Sequence, residues 1–204
     1  VLLINSGIFF SSFLNEKTIE INFIKICNSI FIKMLDTYFS KNTDLVILAG
    51  GKGTRIKKLL GKYPKPMLKF NDKHFIQYIF NTFGRYNFKR IIILCGYRHK
   101  ILFKKFNGKV INLTKIICLK EKKLLGTAGA LSNLKKLKVK DFVLINGDTM
   151  FNINIDLLVS SLANKKIGTV ALTRNFNQQS KKLNNLYLKD GTISLKKNSP
   201  FMNA

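Results

Sequence analysis

The chain has 204 residues, enough for one domain or for one domain and a fragment of another. Its hydrophobic content of 46% is typical of a packed globular protein and excludes a chain that is disordered throughout. Its 36 lysines and arginines against 10 aspartates and glutamates give a formal charge of +26, which points to nucleic acid or to anionic small substrates. The lysines are spread along the chain, so we favour a third explanation, compositional drift in a protein from an AT-rich genome.

Neither a membrane nor an oxidising compartment is indicated. Lys25 and Lys33 interrupt the longest apolar candidate for a transmembrane helix. The N-terminus has no basic region before its apolar residues, which argues against a signal peptide. Cys27, Cys95 and Cys118 lie far apart, without the spacing of a metal site. We therefore predict a cytoplasmic protein with no membrane partner.

The first 43 residues differ in pattern from the rest of the chain. Residues 1–10 are compatible with a strand and a turn, while residues 18–39 carry apolar side chains at helical spacing and predict one amphipathic helix. The chain begins with valine rather than methionine, which suggests a fragment. We predict one unit at residues 1–43, a helical extension or the tail of an upstream domain, and a second at residues 44–204.

From residue 44 onward, apolar runs typical of strands alternate with stretches of helical spacing. The predicted strands are residues 45–48, 90–95, 115–119, 142–145 and 168–173. The predicted helices are residues 73–85, 100–106, 128–137 and 155–163. This alternation indicates an α/β fold, with a mostly parallel sheet covered by helices on both faces. Residues 186–188 and 192–195 are predicted to form a hairpin around Asp190-Gly191.

A glycine-rich stretch, Leu48-Ala-Gly-Gly-Lys-Gly-Thr-Arg55, begins at the last residue of the first of these strands. Glycines allow backbone N–H groups to approach a ligand closely, because no Cβ stands in the way. Lys52, Arg55 and Lys65 add positive charge around this loop, and such a loop suits a phosphate chain.

Two familiar phosphate-binding motifs do not fit this stretch. Ile56 replaces the third glycine of the dinucleotide fingerprint, and the Gly-Lys-Ser/Thr of a P-loop is absent.

The glycine-rich stretch, followed by Pro64-Lys65-Pro66, resembles the signature of sugar-1-phosphate nucleotidyltransferases. The resemblance implies a Rossmann-like nucleotidyltransferase fold that transfers a nucleotidyl group from a nucleoside triphosphate to a sugar 1-phosphate and releases pyrophosphate. In this family the arginine matching Arg55 neutralises the triphosphate, and the lysine matching Lys65 holds the α-phosphate and the sugar phosphate. The nucleotide-binding positions implied by the resemblance are Leu48, Ala49, Gly50, Gly51, Gly53 and Thr54.

A second loop, Asn146-Gly147-Asp148, follows the strand predicted at residues 142–145. Because binding sites of parallel sheets lie beyond the carboxyl ends of their strands, the pattern alone brings this loop and the glycine loop to one edge. Magnesium prefers carboxylate oxygens, and the resemblance places the family's first metal-binding aspartate at Asp148. We therefore predict Mg²⁺ as the cofactor, with an Asx turn or a helix cap as the alternative role for Asp148.

The stretch Leu125-Gly-Thr-Ala-Gly-Ala-Leu131 opens the predicted helix after the third strand. Its glycines permit backbone contact with a base or a ribose, or else close helix–sheet packing. The stretch resembles the nucleotide-recognition segment of mannose-1-phosphate and heptose-1-phosphate guanylyltransferases. That resemblance implies nucleotide contacts at Gly126, Thr127 and Gly129 and favours GTP.

The resemblance to the nucleotidyltransferase family covers residues 44–204 and departs from it at the end. Residues 199–204 resemble the approach to an Asn-Ala-Gly segment, beyond which the family carries sugar contacts and a second metal-binding aspartate. The predicted fold is therefore incomplete at the C-terminus. Residues 18–30 weakly resemble the closing helix of sugar-isomerase domains, and that resemblance would favour heptose as the sugar of the substrate. We prefer the alternative that these residues form a packing or dimerisation helix.

Two other functions remain as alternatives to an enzyme. One is a non-catalytic subunit that binds nucleotide sugars, and the other is a basic nucleic-acid-binding protein. The second is disfavoured because the sequence has no aromatic-basic motif. A homo-oligomer stays open. His74 and His99 are expected at the surface or at helix ends, and Tyr97 and Arg98 either face the site or only shape their loop.

Overall fold

A computed structural model describes residues 2–5, 19–20, 42–121, 126–160, 168–171, 186–189 and 192–195. The strands in these ranges are β1 Leu2–Asn5, β2 Ile19–Glu20, β3 Asp44–Ala49, β4 Lys69–Phe70, β5 Lys73–His74, β6 Arg90–Cys95, β7 Val110–Ile111, β8 Thr114–Lys120, β9 Asp141–Asn146, β10 Gly168–Val170, β11 Leu186–Lys189 and β12 Thr192–Leu195. The α-helices are α1 Lys57–Leu60, α2 Phe75–Phe83, α3 His99–Phe106, α4 Gly126–Leu131 and α5 Ile155–Ser160. Short 3-10 helices lie at Thr54–Ile56, Lys65–Met67, Gly84–Tyr86 and Ser132–Leu137.

A seven-stranded sheet of order β10-β1-β9-β3-β6-β8-β7 forms the centre of the molecule. Strands β9, β3, β6 and β8 are parallel to one another, as their runs of apolar residues predict. Leu45 and Ile47 of β3 pack on one face with α2, α3 and α5, while Val46 packs on the other face with α4. The predicted α/β sheet with helices on both faces is therefore confirmed.

Helix α2 begins later than its apolar periodicity predicted. Residues 73–74 belong to the short hairpin of β4 and β5, and His74 is the N-cap of the helix. The His74 backbone N–H donates to Gln77 Oε1 at 2.9 Å, and its ring Nδ1 lies 2.7 Å from the Met67 carbonyl oxygen. Such a capping arrangement satisfies backbone groups that a helix start leaves unpaired, so it fixes where α2 begins.

The periodicity of residues 18–39 misplaced the start of this segment. Ile19–Glu20 form strand β2 instead of helix, and β2 pairs antiparallel with β12. The rest of that predicted helix lies outside the described residues. The predicted hairpin is present as β11 and β12, paired antiparallel from Leu186–Leu195 to Lys189–Thr192. None of the helices in the described part of the chain combines the length and apolarity needed to span a bilayer.

Strand β1 lies inside the main sheet, between β9 and β10, and is antiparallel to both. Its residues Leu2 to Asn5 face Leu144 to Asp141 of β9, the strand that leads into Asp148. In the described part of the chain, β10 reaches the parallel strands only through β1. The predicted boundary after residue 43 stays a prediction. Strand β1, which precedes that boundary, nevertheless belongs to the same sheet as the strands that follow it.

Replacing Leu3 with proline is expected to destabilise the protein, because proline cannot donate to a ladder and is poorly tolerated in an interior strand. The backbone acceptor that loses its donor leads us to expect a loss of about 1–3 kcal/mol in the free energy of unfolding. Urea denaturation of Leu3→Pro beside Leu3→Ala, which keeps the N–H group, measures this. Equal stability of the two variants would contradict the placement of β1 inside the sheet.

Candidate active site

A cavity of about 460 Å³ lies at the carboxyl edge of the parallel strands. Its walls come from the residues that follow β3, β8 and β9 and from the start of α4. The lining residues are Leu48, Gly50, Gly51, Lys52, Glu121, Gly126, Thr127, Ala130, Asn146 and Asp148. The volume is in the range of small-ligand and cofactor pockets. The loop after β3 and the loop after β9 both line this cavity. The order of strands and loops in the sequence predicted that they would lie at the same edge of the sheet.

Two glycines of the loop after β3 lie close to neighbouring side chains. Gly53 has a φ of 63°, and a Cβ at this position would lie 2.6 Å from Leu60 Cδ1. A Cβ on Gly50 would lie 2.2 Å from Glu121 Oε1, far inside van der Waals contact. Gly53 thus lets the chain turn into the 3-10 helix Thr54–Ile56, and Gly50 leaves room for a carboxylate at the cavity wall.

The two predicted catalytic and metal-binding groups contact each other. Lys65 Nζ donates to Asp148 Oδ2, while Asp148 Oδ1 accepts a hydrogen bond of 3.1 Å from the Thr149 hydroxyl. A Cβ on Gly147 would lie 2.8 Å from the Leu48 carbonyl oxygen and 3.3 Å from Pro66 Cγ, so glycine permits the loop after β9 to lie close to both β3 and the turn that carries Lys65. The Lys65 and Asp148 side chains are 39% and 33% exposed, which leaves both accessible to a ligand.

The predicted nucleotide-binding residues divide into two groups. Those that line the cavity are Leu48, Gly50, Gly51, Gly126 and Thr127. Ala49 points to the opposite face of β3 and is 2% exposed in the core, because successive side chains of a strand alternate. Gly53, Thr54, Arg55 and Gly129 lie outside the lining, and Arg55 is exposed on its 3-10 helix. The ligand-binding roles of all these residues stay predictions.

Glu121, which the sequence patterns did not single out, is an acid in the cavity wall directly after β8. It is 8% exposed, and its backbone N–H donates to the Cys95 carbonyl at 2.9 Å. Burial raises the pKa of its carboxyl group, and the described residues offer that carboxylate neither a hydrogen-bond donor nor a cation. The available signal was its position, since an acid at the carboxyl end of an apolar strand is uncommon in a chain with only 10 acids.

The side chains at the cavity fit the predicted magnesium ion only if phosphates and water supply most of its ligands. Within the described ranges, no three His, Cys, Asp or Glu side chains come close enough together to hold a metal. Magnesium sites of phosphoryl-transfer enzymes use only one or two carboxylates, with phosphates and water completing the shell. Asp148 provides one partly exposed carboxylate at the cavity, which suits that arrangement.

A parallel α/β sheet whose glycine loop and acidic loop share one cavity beyond the strand ends is the architecture of a nucleotide-binding α/β protein. The model of the nucleotidyl transferase family matches residues 45–183, more than half of the chain. The chain therefore belongs to the nucleotidyl transferase family. The family and the fold inferred from the glycine-rich stretch and from Pro64-Lys65-Pro66 are confirmed.

Several known proteins are similar to part of the chain. The chain is 34% identical over 113 residues to D-glycero-alpha-D-manno-heptose 1-phosphate guanylyltransferase of Campylobacter jejuni, a match covering 55% of this chain and 51% of that protein. Identity to the enzyme of the same name from Aneurinibacillus thermoaerophilus is 30% over 113 residues, covering 55% and 49%. The crystal structure of HddC from Yersinia pseudotuberculosis complexed with GMP-PN is similar with a TM-score of 0.53 and 31% identity, covering 60% of this chain and 55% of that one. The chain thus spans about half the length of the curated relatives it matches.

Proposed function

We propose that the protein transfers GMP from GTP to a sugar 1-phosphate, heptose or mannose, forming a GDP-sugar and releasing pyrophosphate. The observation that carries the proposal is the contact between Lys65 and Asp148 at the cavity that the glycine loop lines. In the reaction a phosphate oxygen of the sugar 1-phosphate attacks the α-phosphorus of the triphosphate, and the pyrophosphate group leaves. The names of the relatives support this reaction class.

The charge around the cavity suits two anionic substrates that must meet in line. Residues 45–71 contain no acid, so every charged side chain in this stretch is basic. Lys52 lines the cavity, Lys65 reaches Asp148 beside it, and Arg55 lies on the short helix between them in sequence. Fixed cations at the phosphates lower the barrier to transfer because they stabilise the charge that develops in the transition state.

We also propose Mg²⁺ as the cofactor, with Asp148 as its protein ligand and substrate phosphates as the others. When bound, the ion would neutralise phosphate charge and stabilise the departing pyrophosphate. Asp148 is suited to hold it because Thr149 and Lys65 already orient its carboxylate.

Glu121 supports guanine as the base. A carboxylate accepts two hydrogen bonds side by side, and guanine offers two adjacent donors, its ring N1–H and its exocyclic amine. Uracil, cytosine and adenine do not present two such donors next to each other. Gly126 has a φ of 74°, and it lines the cavity with Thr127 and Glu121, so backbone groups at the start of α4 are available to the same nucleotide.

We expect the protein to bind GTP more tightly than inosine triphosphate, which differs only by lacking the exocyclic amine. A bidentate pair of this kind contributes about 1–3 kcal/mol of discrimination, so the expected ratio of Kd values is about 5- to 150-fold. Glu121→Gln should reduce that ratio to near one, because an amide presents one acceptor and one donor. Isothermal titration calorimetry measures both. Unchanged discrimination in the variant would contradict the role of Glu121.

A pyrophosphate-release assay on the full chain, with each nucleoside triphosphate and with mannose or heptose 1-phosphate, tests the reaction itself. Turnover with GTP above the other triphosphates is the expected result. Equal or absent turnover with GTP would reject the guanylyl assignment. Nucleotide binding without turnover would favour the non-catalytic binding subunit, and strongly salt-dependent RNA or DNA binding would favour the nucleic-acid alternative.

A further inference from the structure

The loop that follows β6 contacts both ends of the segment that carries the glycine loop. This segment, residues 50–61, is named the basic segment below. At its first residue, the Gly50 carbonyl accepts a hydrogen bond of 3.0 Å from the Tyr97 backbone N–H. At its last residue, the Gly61 carbonyl accepts a hydrogen bond from Arg98 Nη1. Tyr97 and Arg98, which are adjacent in the sequence, therefore form hydrogen bonds with the first and last residues of the basic segment.

Arg98 has a backbone conformation that glycine would adopt more easily. Its φ of 54° and ψ of 33° are left-handed, and it is the N-cap of α3. Its guanidinium lies 4.9 Å from the centre of the Tyr97 ring. This conformation is shared by five other described residues that are not glycine, so it assigns no role by itself. The role is argued from the contact with Gly61, which glycine at position 98 could not make.

The basic segment needs such contacts because its own structure is short. Helix α1 has only four residues, and a helix of this length is not stable alone in water. The Leu60 side chain is only 4% exposed, so it is the residue of this helix that packs into the protein interior. Lys57 and Lys58 on the same helix are exposed. The Arg98 contact therefore fixes the end of a segment whose beginning lines the cavity.

We propose that Arg98 is a positioning residue of the triphosphate site. It holds the basic segment in place through Gly61, so that Lys52 and Arg55 meet the phosphates of the nucleotide without reorganisation. Arginine suits this role better than lysine, because a planar guanidinium can donate to a carbonyl while stacking on an aromatic ring. The inference rests on the proposed function, since it assumes that the cavity takes a triphosphate.

Arg98→Gly is the decisive variant, because it removes the side chain while supplying the residue that the backbone favours. We expect the Kd for GTP to rise about tenfold, as small misplacements at a phosphate site have large effects, with the melting temperature unchanged or raised. Asn87→Gly is the matched control. Asn87 also has a left-handed backbone, with φ of 45°, and lies before the amino end of β6, far from the cavity. Lys100→Ala removes a neighbouring exposed positive charge and controls for net charge.

Trypsin cleavage after Lys57, Lys58 and Lys62 gives a readout that needs no nucleotide. Arg98→Gly should accelerate cleavage at these sites, while Asn87→Gly and Lys100→Ala should not. Unchanged cleavage would overturn the inference. An equal fall in GTP affinity in Lys100→Ala would also overturn it, and so would a fall in Arg98→Gly that only matches a lowered melting temperature. If the unaltered chain binds no GTP, the proposed function fails instead, and the cleavage pattern alone decides whether Arg98 holds the basic segment.

Discussion

Asp148→Asn is expected to reduce nucleotidyl transfer by about two to three orders of magnitude, the usual effect of removing one preorganised electrostatic group from an active site. The asparagine keeps the shape of the side chain but loses the charge that attracts Lys65 and would hold a magnesium ion. Stability should change little, because both partners are a third or more exposed, and ion pairs at the surface contribute less than about 1 kcal/mol. The substitution therefore separates catalysis from folding.

Lys65→Met is the companion variant, and a pyrophosphate-release assay with thermal unfolding measures both. If Lys65 and Asp148 act as one unit, the double variant should be about as slow as either single variant, because effects within a catalytic unit are not additive. Asp72→Asn makes the same chemical change at an exposed turn between β4 and β5 and should leave the rate unaltered. A fully active Asp148→Asn variant would remove the basis of the proposed mechanism.

Arg90→Ala is expected to lower the free energy of unfolding by about 3–5 kcal/mol, the cost of leaving a buried charge without its partner. That partner is Asp44, 2% exposed at the start of β3. Arg90 donates from Nε to Oδ1 at 2.7 Å and from Nη2 to Oδ2 at 2.5 Å. Such a two-pronged contact is the strong form of a salt bridge. A third donor, Nη1, reaches the Leu137 carbonyl at 3.3 Å.

Urea denaturation of Arg90→Ala beside Lys89→Ala measures this effect, since Lys89 is the exposed neighbour in sequence. The double variant Asp44→Leu/Arg90→Met should recover most of the stability, because replacing both members of a buried pair by apolar residues is often neutral. A loss below about 1 kcal/mol in Arg90→Ala would show that the Asp44 carboxylate reaches water and needs no partner.

Local patterns identified the elements that form the centre of the site. The apolar runs of β3, β6, β8 and β9 are long enough to indicate strands, and the rule that sites lie beyond strand ends then brought Gly50 and Asp148 together. Helix α1 and the hairpin of β4 and β5 were not predicted, because four residues or two are too few to show a period.

The features that could not be predicted from the sequence are contacts between residues far apart in the chain. The place of β1 beside β9 is a pairing across well over one hundred residues, and no local signal encodes it. The same holds for Arg98 and Gly61, whose contact joins two loops. Glu121 was missed because its position after a strand gives only a weak signal, and its contact with Gly50 joins residues that are distant in the sequence.

The placement of β1 also sets an order for folding. During synthesis β1 leaves the ribosome before β9 and β10, yet within the described residues these are the strands on either side of it. The parallel core of β3, β6 and β8 can assemble while β1 is still unpaired, and the outer part of the sheet must wait until β9 emerges. Pairings this distant fold slowly and leave strand edges open to association with other chains. We therefore expect the newly made chain to depend on chaperones most strongly between the appearance of β8 and that of β10.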